Sequence, residues 1–224
     1  KGGIIGVDVG GTFTDLVMLD PDTGSIRMAK TATTLDNQAF GVLNAIAEAG
    51  VDPSAVDLIV HGTTTTTNAV LERKLAKTGL ITTAGFRDIP QLDEDAVRQA
   101  AKALVGLGCE ALVIHFLHAY ANPDHERRAA EIAAEVWPNS YITMGHALLS
   151  ETREFERGVT AAVNASVQPI LEVYIARLRK ELADKGYAGD VLVMNGNGGM
   201  VSSRMVASAA AKTVMSGPAS GVMA

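Results

Sequence analysis

Asp8-Val9-Gly10-Gly11-Thr12-Phe13-Thr14-Asp15 concentrates more chemistry than any other segment of this 224-residue chain. An apolar run over residues 4–9 delivers an aspartate and stops at two glycines, which let a backbone approach a ligand closely. The amides from Gly10 to Thr12 suit phosphate oxygens, in the manner of a backbone anion nest. Thr12 and Thr14 add hydroxyls at alternate positions. Asp8 and Asp15 suit a Mg²⁺ held through water, because hard cations prefer oxygen and often keep part of their hydration shell. On spacing alone, the same residues equally serve a plain hairpin turn with both aspartates solvated.

Three further loops repeat the theme. His61-Gly62-Thr63-Thr64-Thr65-Thr66-Thr67-Asn68 follows an apolar strand and feeds a helix, a common ligand position in α/β sheets. Its alternative reading is a threonine-capped helix start with Asn68 as a further cap. Asn195-Gly196-Asn197-Gly198-Gly199 follows another apolar run, and Ser216-Gly217-Pro218-Ala219-Ser220-Gly221 makes a fourth glycine turn. One glycine loop is weak evidence, but four at strand ends point to a phosphate-lined or nucleotide-lined cleft. Other candidates carry less. His115 and His118, three apart at a strand end, cannot share one face of a strand as a metal pair. His125 falls on a helix, and His146 in a loop where it suits polar lining. Cys109 reads as a small core residue. Glu151, Arg153, Glu154, Glu156 and Arg157 crowd a first helical turn, where acidic groups complement the helix dipole. Zinc-ligand spacing, a Ser-His-Asp order and a lysine-bearing P-loop are all missing.

The elements that must position these loops follow from periodicity. Residues 4–9, 13–19 and 26–33 read as three strands, antiparallel neighbours joined by tight turns. Asp36 can cap a helix through residue 49. Strand and helix then alternate: strands at 56–60, 79–83, 111–117, 141–144 and 191–194, and helices at 67–74, 93–107, 123–136, 151–185 and 203–211. Pro169 is expected to kink or divide the long one. The continuous apolar run 111–117 fits an inner strand covered on both faces. Antiparallel strands first and βα units afterwards predict an α/β fold, a mixed sheet flanked by helices within one compact domain.

Composition narrows the function classes. Nineteen basic against twenty-five acidic residues give a formal charge of −6, which argues against a nucleic-acid backbone binder. One cysteine excludes an intramolecular disulfide framework and suits a reducing, cytoplasmic setting. No apolar run approaches the roughly 18 residues of a spanning helix and no signal peptide heads the chain, so no membrane partner is expected.

The first loop resembles the first phosphate loop of the acetate kinase, sugar kinase, Hsp70 and actin superfamily, which implies a ribonuclease H-like, actin-like ATPase lobe. Companions in order narrow the resemblance: His61-Gly62-Thr63-Thr64, Thr78-Gly79-Leu80-Ile81-Thr82-Thr83, Gly85-Phe86-Arg87-Asp88, Phe116-Leu117-His118, Arg153-Glu154-Phe155-Glu156-Arg157, Asn197-Gly198-Gly199 and Ser216-Gly217-Pro218-Ala219. Together they resemble the N-terminal region of the hydantoinase/oxoprolinase family across essentially the whole chain. The resemblance implies ATP-dependent activation of a cyclic amide (a hydantoin, 5-oxoproline or a lactam) by phosphorylation of its carbonyl oxygen. It also implies a larger partner subunit of hydantoinase B type. Carried over residue by residue, Asp8 organises Mg²⁺, Gly10, Gly11, Thr12 and Thr14 hold the γ-phosphate, and Asp15 supports that loop. His61, Thr63 and Thr64 then stand on the cleft wall, with Asn197, Gly198, Gly199, Ser216 and Gly217 as further nucleotide contacts. Asp8, Asp15 and His61 are the expected catalytic set.

Two departures accompany the resemblance. A stretch the family carries after Gly-Phe-Arg-Asp is expected to be missing near residues 90–92. Residues 1–213 are expected to form the ATPase lobe, with 214–224 opening a truncated second lobe, so the chain alone is expected not to turn over ATP usefully. Three other readings stand beside the first: a ketone carboxylase subunit of the acetone or acetophenone type, a sugar or acetate kinase, and a non-catalytic nucleotide-binding module.

Overall fold

The computed structural model describes residues 2–34, 37–85, 91–149 and 151–217. Contacts divide the chain into two compact units, one made of residues up to Arg73 together with those from Ile170 on, the other of Lys74–Pro169.

In the first unit, β1 (Gly3–Val9), β2 (Phe13–Leu19) and β3 (Ile26–Ala32) form the expected antiparallel meander. The turn between β2 and β3 is set by Asp20, whose carboxylate accepts from the amides of Asp22 and Thr23, and by Gly24 at φ +68°. Two strands then add parallel to the other side of β1: β4 (Val56–Thr63) beside it and β8 (Val191–Met194) beyond, with β9 (Met200–Ser202) antiparallel at the edge. The sheet order is β3-β2-β1-β4-β8-β9.

Strand alternation sends Ile5, Val7 and Val9 to one buried face. Register then aligns Val7 with His61 and His61 with Val193 across three parallel strands. Helix α1 (Gln38–Glu48) packs against β1–β3, with Ala39, Val42, Leu43, Ala45 and Ile46 buried. Each large apolar side chain removed from water this way contributes roughly 1.5–3 kcal/mol. Gly41 lets the helix approach: a Cβ there would lie 2.8 Å from Thr14 Oγ1. The cap of α1 is Asn37, whose side chain accepts from Ala39 N; Asp36, the expected cap, lies outside the described residues.

The second unit holds its own parallel sheet, β5-β6-β7 (Thr78–Thr82, Ala111–His115, Ile142–Met144). The strands expected to extend one mixed sheet therefore sort into two. As expected, β6 is the inner strand. Leu112 and Ile114 pack with Val97 and Ala101 of α3 (Glu94–Gly106) and Ala129, Ile132 and Ala133 of α4 (Asp124–Ala134). Ala111 and Val113 pack on the other face with Ala161 and Ala165 of α6 (Glu154–Asp184).

Helix α6 runs unbroken through Pro169. The proline neither divides nor ends it, yet it is the last residue of the second unit. Loss of one backbone hydrogen bond is tolerated where flanking residues are held by packing, and Val167 and Leu171 are both fully buried. Helix α6 is long and apolar enough to cross a membrane by length and composition, and half of its most apolar window is buried. Two more expectations shift. The helix after Gly62 is α2 (Thr65–Leu71), starting two residues earlier than its pattern suggested, so Asn68 lies inside it rather than at its cap. The last predicted helix, at 203–211, is instead a turn followed by a 3-10 segment, Val206–Thr213, and the strand β9 before it was not predicted. A four-residue helix, α5 (Gly145–Leu148), was not signalled by periodicity.

Candidate functional site

The first unit gathers its glycine loops at the carboxyl ends of β1, β4 and β8. Asp8 is the penultimate residue of β1, opposite Asp15, which itself lies opposite Lys30. Three charges therefore cross one face of the sheet in a row. Lys30 Nζ lies 2.9 Å from Asp15 Oδ1, with both side chains more than half exposed, and 4.8 Å from the centre of the Phe13 ring. Asp8 has no such relief. Its Oδ1 is buried without a hydrogen-bond partner among the described residues. Burial first, and the Asp15 charge second, push its carboxyl above the usual aspartate range. Both causes disfavour the carboxylate, and a cation relieves both.

The loop after Asp8 closes through Gly10 N donating to Phe13 O at 2.9 Å. Gly11 and Thr12 are exposed, and a Cβ on Gly11 would meet no atom within 4 Å. Thr33 braces the loop from behind: its amide donates to Thr12 O at 2.9 Å and its hydroxyl to Gly10 O at 2.9 Å. Thr14 is fully buried, its hydroxyl 3.1 Å from that of Thr33. It stands beneath the loop, with no exposed surface of its own.

The second loop is tied to the first. Thr64 donates to Val9 O through both its amide (3.2 Å) and its hydroxyl (3.1 Å). Thr63 is buried, and its carbonyl accepts from Ser216 Oγ at 2.8 Å, across 153 residues of sequence. Met215, in the left-handed region at φ +66°, donates its amide to Thr67 Oγ1 at 2.9 Å. The hydroxyls of Thr66 and Thr213, both fully buried, meet at 2.9 Å. Gly217 sits so close that a Cβ there would lie 3.1 Å from Thr64 Cγ2.

The third loop joins the same set. Asn195 N donates to Gly199 O at 2.7 Å, and Gly199 N donates to Asn197 Oδ1 at 3.0 Å. Gly198 supplies the positive φ of +81° this turn requires. Gly196 N donates to Lys212 O at 2.7 Å, and a Cβ at Gly196 would fall 2.5 Å from Val214 O. Like Asp8, Asn195 keeps a buried Oδ1 without a partner among the described residues.

His61 is placed differently from the cleft wall foreseen for it. It is fully buried on the Val7 face of the sheet, and its Nε2 shares a 2.7 Å hydrogen bond with Tyr174 Oη of α6. Burial lowers its pKa to about 4, so the ring is neutral at physiological pH. Tyr174 and Lys30 were not singled out as site residues by sequence, and Asn195 only as the first residue of its glycine turn. The signal for Lys30 was its place opposite Asp15, which needs the β2–β3 register. Residues 218–221 of the fourth loop and Phe86, Arg87 and Asp88 of the Gly-Phe-Arg-Asp segment lie outside the described residues. Cys109 is buried and free, as expected.

Among the described residues no group of three or more His, Cys, Asp or Glu is placed to hold a metal ion. A lone buried carboxylate with an orphaned oxygen fits a Mg²⁺ held mostly by water and ligand oxygens, the coordination this ion prefers.

The parallel β4 and β8 follow an antiparallel β3-β2-β1 meander, with glycine loops at their shared end, in a mixed α/β lobe. The chain belongs to the hydantoinase/oxoprolinase family. The sequence model of the hydantoinase/oxoprolinase N-terminal region matches residues 4–92 and 87–137, and that of hydantoinase/oxoprolinase matches residues 157–224. The acetophenone carboxylase gamma subunit of Aromatoleum aromaticum is 29% identical over 98% of this chain and 38% of its own length. The caprolactamase subunit alpha of Pseudomonas jessenii is 26% identical over 96% of this chain and 38% of its own. A nucleotide-free structure of acetone carboxylase, described as acting by ATP-dependent acetone carboxylation, superposes with a TM-score of 0.84 at 24% identity, covering 98% of this chain and 39% of that one. The chain thus spans about two-fifths of the length of these relatives.

Proposed function

We propose that this chain is the ATP-binding lobe of an ATP-dependent cyclic-amide hydrolase that phosphorylates the carbonyl oxygen of a hydantoin, 5-oxoproline or lactam before the ring opens. The observation that carries the reading is the buried Oδ1 of Asp8, without a partner among the described residues, beside the open Gly10-Gly11 turn, to which the β4 loop is tied through Thr64 and Val9. In this reading the Gly11 and Thr12 amides bind terminal phosphate oxygens. Asp8 holds Mg²⁺ through water. Thr14 and Thr33 keep the loop in shape, and Asp15, balanced by Lys30, raises the demand for a cation at Asp8. His61 and Tyr174 support the Thr63–Thr64 loop from the core. When bound, Mg²⁺ would neutralise charge on the phosphates. Phosphoryl transfer asks mainly for positioning and electrostatic stabilisation, which such a loop set supplies. Asn197, Gly198, Gly199, Ser216 and Gly217 complete the proposed nucleotide contacts. A larger partner subunit of hydantoinase B type carries out the later hydrolysis, and the assembly is cytoplasmic.

A second reading, the ATP-binding subunit of a ketone carboxylase, is supported by the acetophenone carboxylase relative, whose 29% identity is at least as high as that of the lactam-hydrolysing one. One experiment separates them. The full-length protein with its partner subunit is assayed for ATP turnover with hydantoin, 5-oxoproline, caprolactam and acetophenone, with labelled bicarbonate present. Ring opening coupled to ATP use without bicarbonate incorporation supports the hydrolase. Stoichiometric incorporation assigns the carboxylase, and no ATP turnover with any of them overturns both.

A further inference from the structure

The first unit carries a basic hollow at the end of its sheet opposite the glycine loops. It lies between the last turns of α6 and the amino end of β8, with a volume of about 460 Å³, inside the range of small-molecule sites. Arg179, Lys180 and Arg204 line it, with Ala183, Tyr187 and Val191 as its apolar part. Every lining residue belongs to the first unit, and residues 170–217 are described without interruption. Val191 opens β8 and Asn195 follows its last residue. The hollow and the Asn195–Gly199 turn therefore stand at opposite ends of one strand.

The basic side chains of this region differ in what they touch. Arg177 packs over the Phe40 ring at 4.9 Å, and Lys180 pairs with Asp184 at 2.6 Å. Arg179 is partly buried, yet its guanidinium forms no hydrogen bond or ion pair among the described residues. Arg204 donates its amide to Ser202 Oγ at 3.2 Å, and its guanidinium likewise donates no hydrogen bond among the described residues. Asp190, whose charge Arg204 feels, is occupied instead by the hydroxyls of Ser202 and Ser203.

Nearby acceptors are also taken. At the end of α6, Leu182 O accepts from Tyr187 N at 3.0 Å and Ala183 O from Gly186 N at 2.9 Å. Asp190 O accepts from Tyr187 Oη at 2.6 Å, which fixes the ring against the hollow. What remains unused is donor capacity, the forked N–H groups of two guanidinium ions, and that fork matches the oxygens of phosphate and carboxylate. Partial burial without a partner makes such a cation costly, and an oxyanion relieves the cost. A phosphate monoester carries about −1.5 to −2 charge at pH 7 and three acceptor oxygens. A carboxylate offers a single charge and two oxygens. Two unpartnered forks therefore favour the phosphate.

We propose that this hollow binds a small phosphate monoester, its phosphate held by Arg179 and Arg204 and its organic part lying on Ala183, Tyr187 and Val191. The proposal is independent of the nucleotide reading, because none of its residues belongs to the glycine loops.

Phenyl phosphate serves as the probe and benzoate as its carboxylate control, each titrated at constant ionic strength into the ¹⁵N-labelled chain with amide shifts recorded. Saturable shifts at Gly186–Val191 and Ser203–Met205 are expected with phenyl phosphate, and benzoate should bind severalfold more weakly. Arg179→Gln and Arg204→Gln should each weaken binding about tenfold, in variants whose remaining amide shifts show them folded. Shifts at Gly10–Thr12, which report the glycine loops, should be the same in both variants as in the wild type. The proposal is overturned if phenyl phosphate shifts only Gly10–Thr12 or nothing at all. It is equally overturned if the midpoint at Gly186–Val191 is unchanged in both folded variants, or if benzoate binds as tightly.

Discussion

Tyr174 Oη and His61 Nε2 share a 2.7 Å hydrogen bond in the core, 113 positions apart in sequence. Both side chains are almost wholly removed from solvent. The bond ties α6 to β4 two residues before Thr63, so it supports the threonine loop without reaching its surface. Burial of the ring holds it in its neutral form, and that has a measurable consequence.

The His61 pKa of about 4 lies below the ordinary 6.5. Between those values the unfolded chain binds a proton that the folded chain refuses, so stability falls as pH drops from 6.5 toward 4. One such group accounts for about 3 kcal/mol across the window. His61→Asn should flatten that slope, read as amide-exchange protection of β4 over a pH series. Equal slopes in the two proteins would remove His61 as the cause.

Asp8 works with the opposite sign. Its raised pKa means that the folded state favours the protonated acid, so its contribution is present below about pH 3.8 and is lost as pH rises through the folded value. Asp8→Asn should raise the melting temperature at pH 7 in metal-free buffer, with the gain shrinking toward pH 3.8. Added Mg²⁺ with ATP should stabilise the wild type and leave the variant unchanged. A variant that melts lower at pH 7, or responds to Mg²⁺ like the wild type, contradicts the role given to this carboxylate.

The Thr66 and Thr213 hydroxyls meet in the core at 2.9 Å, and Thr213 Oγ1 donates onward to Ala210 O at 2.7 Å. Thr213→Val strands the buried Thr66 hydroxyl and should cost about 1–3 kcal/mol. The double change Thr66→Val with Thr213→Val removes the stranded hydroxyl and should recover part of the loss, the Ala210 carbonyl still lacking its donor. A double-mutant cycle by urea denaturation measures the coupling; strict additivity would mean the pair does not act as a unit.

Glu126 is fully buried in the second unit, and its carboxylate accepts from Phe116 N at 2.8 Å and from His146 N at 2.9 Å. Glu126→Ala leaves the amides of Phe116 and His146 without their acceptor and should destabilise that unit by on the order of 3 kcal/mol. Trp137, the single tryptophan, is buried in the same unit's core and reports its unfolding by fluorescence. An unchanged fluorescence midpoint would show that the carboxylate carries no structural load.

Much of the architecture was legible in the residues themselves. Alternation in Ile5, Val7 and Val9, the punctuation at Gly10 and Gly24, and the apolar run through Leu112 and Ile114 are local signals, and they gave strands close to those observed. Three of the glycine loops were legible as turns for the same reason: Gly198 takes a positive φ and Gly196 a close approach that a side chain would block. Pro169 does not divide its helix, because a break is a local penalty whereas the buried Val167 and Leu171 on either side of it are a tertiary restraint. The Glu154–Arg157 turn read as a dipole-complementing helix start, and the burial of Arg157 within it was not foreseen.

The sequence by itself determined the elements, the family and the set of loops, because backbone sterics and hydrophobic periodicity act between near neighbours. Only the tertiary structure decided which groups meet. Thr63 accepts from Ser216, Asp15 pairs with Lys30, His61 turns inward to Tyr174, and Glu126 clamps Phe116 and His146. Those relations depend on strand register and helix packing, where a shift of one residue would move each side chain to the opposite face.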